Sequence, residues 1–281
     1  MGRIAQDSIA QRNALHDRLV TKNPCAAAIL DIRNRLRNRH DVSHPASAIH
    51  SMIQKQIPSP ARRRGKIAYL LLLGILPLEL NGFYNAQLSQ YPDWYWCVEI
   101  LTWIVLPIFI LFMAARWRLF HASEIGLHAE VAGHRSTGLL IAALLIVPAF
   151  FVIVDHVGYF AAQGFFPKNI GKIAFGYRDL VPSSGFLRAL VLLHLCLTAG
   201  IVEEIYFRGM GRLLFPETSM GSAMYVIVSS LVFSSIHWEG GVWNLSATLV
   251  LGVTSSVLFV LLRNLWPLIV GHILCDFLWF R

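Results

Sequence analysis

Gly200-Ile201-Val202-Glu203-Glu204-Ile205-Tyr206-Phe207-Arg208-Gly209 closes a long apolar run that begins at Phe186. A carboxylate deep in a bilayer costs about 2.5 kcal/mol or more. A membrane chain that keeps two adjacent ones therefore points to a use for them. Glu204 and Arg208 are four apart, so on a helix they share a face and can pair. Glu203 is rotated by about 100° and can face something else. One braced and one free carboxylate suit an acid/base site. The plainer alternative is a helix leaving the membrane here, with Glu and Arg solvated among the headgroups.

Composition favours the membrane. Of 281 residues, 56% are hydrophobic and only 14% charged, against about 25% charged in soluble domains. Mean hydropathy is +0.55. The positive charge is concentrated at the start: residues 1–66 hold 13 Lys or Arg against four acids, leaving the rest of a chain of net charge +8 close to neutral. This predicts an integral membrane protein with a basic cytoplasmic N-terminal tail (1–66) and a transmembrane domain (67–281). Aromatics are nearly absent from the tail, which speaks against nucleic acid as a partner. Ile29, Ile32 and Leu36, interleaved with arginines, could lie on an anionic membrane surface; a solvated tail is the alternative. Met52, just before a basic lead into the first span, is a candidate second start. Cys25, Cys97, Cys196 and Cys275 are scattered, with no CxxC for zinc or a disulfide framework.

Apolar runs of span-like length follow at 67–80, 94–115, 137–157, from 186, from 220 past His237, 245–262 and 265–280. The fold expected is all-α, a bundle of about seven transmembrane helices. From a cytoplasmic N-terminus, spans two, four and six end inside, where Arg116, Arg118, Arg208, Arg212 and Arg263 fall. The aromatic and glycine-rich loop 158–185 is placed along the outer interface, although Lys168, Lys172 and Arg178 weigh against that. There is no internal repeat.

Polar groups recur in the last third: Glu203/Glu204 with Arg208, His237, and His272 with Asp276 four residues on. Intramembrane ionisable groups face the bundle interior and pair with one another. For Glu203 and His237 to meet, the fourth helix has to run on to about Leu214 and the fifth to the Gly240-Gly241 break. Glu203, His237 and His272 could then line one cavity, open to the cytoplasmic side.

The pattern Glu203-Glu204-x-x-x-Arg208, Phe233-x-x-x-His237, Leu265-Trp266-Pro267 and His272-x-x-x-Asp276 resembles the CPBP family, the CAAX prenyl proteases of the Rce type and their bacterial Abi relatives. The resemblance covers about residues 186–280. It implies a glutamate-dependent intramembrane endopeptidase (a hydrolase) with a catalytic cavity, acting on a membrane-associated protein or peptide in contact with membrane lipids. Glu203 would activate a water that His237 shares, and His272, with Asp276, would stabilise the oxyanion. Glu204 with Arg208 would hold the helix in register, and Phe233 would support the site. The last position is often Asn in the family. Ionised Asp accepts hydrogen bonds but cannot donate them, so Asp276 is expected either to be protonated or to orient His272, with the orienting role preferred. The physics agrees with such a site: burial makes a carboxylate a better base near pH 7, and fixed donors stabilise developing charge. Glu203, His237 and His272 could instead hold zinc; with no HExxH, metal-free catalysis without a cofactor is preferred. Two other classes stay open, a non-catalytic membrane scaffold or immunity protein and a proton-coupled transporter. Prenylated CAAX tails, C-terminal sorting anchors and leader peptides are all possible substrates.

Overall fold

The computed structural model describes residues 59–88, 90–167 and 177–281. The helical patch at 29–36, the Met52 start, Cys25, and Lys168, Lys172 and Phe175 lie outside these residues. Among the described residues there are nine α-helices: α1 (Pro60–Glu79), α2 (Asn81–Leu88), α3 (Pro92–Ile100), α4 (Leu106–Arg116), α5 (Thr137–Phe165), α6 (Gly185–Glu203), α7 (Ser219–Ser235), α8 (Gly241–Leu262) and α9 (Trp266–Phe280). The π-helical turn Leu101–Val105 joins α3 to α4, and a second, Glu204–Met210, extends α6. Five helical stretches among the described residues are long and apolar enough to cross a membrane: Pro60–Asn85, Asp93–Arg116, Thr137–Phe165, Gly185–Met210 and Trp238–Leu262. The apolar α7 and α9 are shorter. The chain is an all-α integral membrane protein.

Several boundaries differ from the hydropathy reading. α1 begins at Pro60, because Ser59 caps it by accepting from Arg62 N–H at 3.4 Å and proline suits the first helical turn. The cationic residues 62–66 thus lie on the helix and not before it. α5 runs to Phe165, taking the first part of the expected outer loop. α7 stops at Ser235, not at the Gly240-Gly241 break. A 3-10 turn, Trp238–Gly240, follows, and α8 starts at Gly241.

The two ends of the bundle are defined by cross-links. At the near face, where α1 begins, Arg63 bonds the Leu119 carbonyl and pairs with Glu124 at 2.5 Å. Ala132 N–H donates to Leu262 O at 2.7 Å, Leu265 N–H to Gly126 O at 2.9 Å, and Asn264 Nδ2 to His128 O and Glu130 O. The segment after α4 is thereby stapled beneath the α8–α9 turn. Partial burial works against ionising Glu124, but the His121 N–H and the Arg63 guanidinium hold its carboxyl below the usual range. At the far face Trp238 Nε1 donates to Glu79 O at 2.9 Å, Trp243 Nε1 donates to Phe166 O at 3.1 Å, and Tyr177 lies 6.1 Å from Phe280.

α8 packs on α5 and α7, and α9 on α5 and α6. The α7–α8 seam uses small residues, as close-packed membrane helices do: Ser229 to Ser256 at 3.4 Å, Thr248 to Ser234 at 3.4 Å, and Ser234 to Leu245 O at 2.7 Å. At the α6–α9 seam a Cβ on Gly200 would lie 2.6 Å from Ile273 Cγ1 and 3.0 Å from its backbone nitrogen. Gly200→Val should therefore push these helices apart at a cost of about 1–3 kcal/mol. Thermal unfolding in detergent reads this as a lowered midpoint. Gly164→Val, at a site with nothing within 4 Å, should leave the midpoint unchanged; equal midpoints for the two variants would contradict the close α6–α9 contact.

Candidate active site

Glu203 is the last residue of α6 and Glu204 the first of the π-helical turn. Both are buried. The two carboxylates take different partners. Glu204 Oε1 lies 3.3 Å from Arg208 Nη1 and accepts from His272 Nδ1 at 2.9 Å. Arg208 also bonds the Ser255 hydroxyl and covers the Phe233 ring at 4.1 Å. The fourth helix does outlast its apolar run: after the π turn it continues through residue 212.

Glu203 Oε2 has no hydrogen-bond partner from the protein. It lies 3.9 Å from His237 Nε2 and 3.7 Å from His272 Nε2. His237 sits in the turn after α7, not on a helix. Its Nδ1–H donates to the Phe233 carbonyl at 2.8 Å, so in the neutral ring Nε2 is left as an acceptor facing Glu203. Phe233 is fully buried and packs 5.0 Å from the His237 ring and 5.9 Å from the His272 ring. The turn carrying His237 is anchored from α1 and α2: Ser235 donates to Glu79, and Phe83 lies 4.5 Å from Trp238.

Asp276 Oδ2 is 3.9 Å from His272 Nε2, beyond hydrogen-bond reach. The hydrogen bond that His272 makes is with Glu204, through Nδ1. The i, i+4 spacing put His272 and Asp276 on one face but could not reveal a second carboxylate arriving from α6.

Glu203, His237, His272 and Asp276 line one cavity of about 400 Å³. Its other polar lining includes Asn81, Glu99, Asp155, Glu239, Asn244 and Thr248. Sequence reasoning missed Glu99, Asp155 and Glu239, all buried. Asp155, an acid within the third apolar run, could have been found by the rule that singled out Glu203. Glu239 could not, because it follows Trp238 at what reads as a helix end. Asp155 accepts from Trp279 Nε1, and the His156 ring stacks on Trp279 at 4.9 Å.

The cavity is one-sided. Its lining comes from the last turns of α1, α5, α7 and α9, the far-face half of the second span (Glu99 and Trp103), the first turns of α8, and the inner part of α6. These are the far-face ends, with Glu203 and His272 as the inner floor. Below them Tyr206, Phe207, Met210, Phe259, Leu265 and Leu268 are buried together, with Leu119 and Ile125 of the stapled segment under them. The cavity therefore opens at the far face and not at the face where α1 begins. The expectation located the three groups by chain position within their spans and could not see the near face sealed. A second hollow of about 280 Å³, almost wholly apolar, lies between the second span and α6 and shares Trp103 and Thr198 with the first.

Glu203, His237 and His272 have donor chemistry suited to zinc, but no group of three His, Cys, Asp or Glu among the described residues is spaced to hold an ion as the side chains stand.

No curated protein and no solved structure matches the chain. Residues 185–278 match the family model described as type II CAAX prenyl endopeptidase Rce1-like. This match spans α6 to α9 and takes in Glu203, Glu204, Arg208, His237, His272 and Asp276. At the level of that family model, the matched segment is a CAAX-type protease (hydrolase) domain carried by a membrane protein.

Proposed function

We propose that the protein hydrolyses peptide bonds with a water activated by Glu203 and held by His237. The reading rests on one observation above the others: the unpaired Glu203 Oε2 faces Nε2 of both histidines inside a buried cavity. With Nδ1–H of His237 committed to Phe233 O, a water between Glu203 and His237 meets two acceptors and donates to both. Glu203 takes one of its protons as the oxygen attacks the scissile carbonyl. The tetrahedral oxyanion is stabilised by Nε2–H of His272 as an imidazolium, whose Nδ1–H donates to Glu204. Glu203 then passes its proton to the departing amine. No metal is required by these steps.

Glu203→Gln keeps size and polarity but cannot take the proton. Turnover of an internally quenched peptide should fall by about 10²–10⁴-fold in protein that remains folded. His237→Ala and His272→Ala should each lose orders of magnitude as well. The same assay run with a chelator tests the zinc alternative: inhibition that added zinc restores would overturn the metal-free mechanism.

Because Glu204, not Asp276, bonds His272, Glu204→Gln should cost more activity than Asp276→Asn. Asp276→Asn should retain or raise turnover, with its largest gain at high pH, where an ionised Asp can only accept. A pH–rate profile of both variants beside the parent checks this. A loss in Asp276→Asn at every pH would return the orienting role to that carboxylate.

We also place the amino-terminal face in the cytoplasm. Arg62, Arg63, Arg64, Lys66, Arg116, Arg118, Arg135, Arg212 and Arg263 belong to the near-face ends of the helices and the segment between α4 and α5, and short loops rich in Lys and Arg stay inside. The cavity then opens to the non-cytoplasmic side. Leader peptides or C-terminal anchors exposed there fit that geometry better than cytoplasmic CAAX tails. A cysteine at Ser123 should be shielded from an impermeant maleimide on intact cells, and one at Asp93 should react. The reverse pattern would invert the topology.

A further inference from the structure

The cavity holds more carboxyl groups than the chemistry uses. Glu99, Asp155, Glu203, Glu239 and Asp276 all line it, and no Lys or Arg does so among the described residues. The inner groups are answered by His272, which stands within 3.9 Å of Glu203, Glu204 and Asp276. Two of the outer ones also have neighbours. Glu99 Oε1 is 3.8 Å from His194 Nε2, and Asp155 accepts from Trp279 Nε1 and lies 3.6 Å from His156 Nδ1. Glu239 differs. It is 5% exposed, it lines the cavity, and its Oε2 has no hydrogen-bond partner. A Cβ on Gly82 would lie 2.7 Å from its Cβ, so the α1–α2 junction packs behind the side chain. A buried carboxyl with an open oxygen is costly unless something pairs with it. No Lys or Arg lines the cavity among the described residues, so a cationic partner for Glu239 has to arrive with the ligand.

We propose that the cavity selects a cationic peptide segment, with a Lys or Arg near the scissile bond paired to Glu239. The proposal rests on the peptidase reading above and adds its substrate class. It also disfavours a substrate that ends just beyond the cut. A free terminal carboxylate would enter a cavity that already holds five carboxyl groups, with no Lys or Arg among the described lining residues to receive it. The preferred bond is therefore internal to a basic stretch.

The test uses the full chain in neutral phosphatidylcholine nanodiscs, so that lipid charge does not sort the substrates. Quenched peptides identical except for Lys, Gln or Glu beside the scissile bond are compared, each with an amidated or a free C-terminus. The Lys peptide should have about tenfold higher kcat/KM than the Gln peptide, the size of one charge-assisted hydrogen bond in an apolar site. The Glu peptide should be poorest, and amidation should help. Glu239→Gln should bring the Lys-to-Gln ratio close to one. That ratio is taken within one preparation, so a smaller folded fraction in the variant cancels. Equal rates for Lys and Gln peptides, or a ratio unchanged by Glu239→Gln, would overturn the proposal. If no peptide is cut, the peptidase reading fails by itself. Fluorescence anisotropy of the labelled Lys and Gln peptides on the parent and Glu239→Gln proteins then decides the selectivity. Tighter Lys binding that Glu239→Gln removes supports it, and equal binding ends it.

Discussion

The ion pair between Glu204 and Arg208 governs the arrangement of everything around it. Neither side chain is exposed to any real degree, so neither charge can be solvated. Removing one partner of a buried pair typically costs about 3–5 kcal/mol, because the other is stranded. The pair also ties four elements together. Glu204 reaches His272 on α9, Arg208 reaches Ser255 on α8, and the guanidinium lies over Phe233 of α7. Those three helices, with α6, carry every residue assigned a part in catalysis or in its support, apart from His237 in the turn just after α7. The polar knot is thus both the centre of the fold and the mount of the site.

The π-helical turn makes this dual use possible. It begins at Glu204, one residue after the carboxylate that faces the cavity. Across that boundary the hydrogen-bond register widens, and such insertions cluster at functional sites. Glu203 stays in register with Leu195 and Ala199, which line the same cavity. Glu204 and Arg208, inside the turn, point into the helix packing. A second π turn, Leu101–Val105, stands on the neighbouring span and brings Trp103 to the cavity wall.

Much of this was readable from the chain. Seven apolar runs correspond to five long apolar stretches and two shorter helices. The i, i+4 spacing of Glu204 and Arg208 anticipated their pairing, and the cost of intramembrane charge singled out the groups that do converge on one cavity. Hydropathy cannot report hydrogen-bond register, so the π turns were invisible. Nor does it see capping, which is why α1 starts earlier than its apolar run. The end of α7 was misjudged because Gly240-Gly241 looks like the breaker. Tertiary contacts decide the matter instead: Trp238 donates to Glu79 O, and Ser235 to its carboxyl group, drawing the chain out of the helix before His237. The direction of opening depended on the segment at 119–134, whose stapling to the α8–α9 turn leaves no periodic trace.

Hydrolysis inside an apolar bundle raises a supply problem, and the one-sided cavity constrains its solution. Water and peptide both have to reach Glu203. Toward the near face the path is filled by Phe259, Leu265 and Leu268 over Leu119 and Ile125. Toward the far face the lining carries amide, hydroxyl and carboxyl groups, among them Asn81, Asn244, Thr198 and Thr248, which can hold water at little cost. Both reactants therefore use the same route, and the peptide has to leave room for the water beside it. An intact helix cannot do this readily, since its carbonyls are hidden in its own hydrogen bonds. A segment that reaches the floor in extended form offers its carbonyl directly. Polar lining, by pairing with the freed backbone groups, lowers the cost of that unwinding, so the feature that keeps the cavity wet also favours the conformation that can be cut.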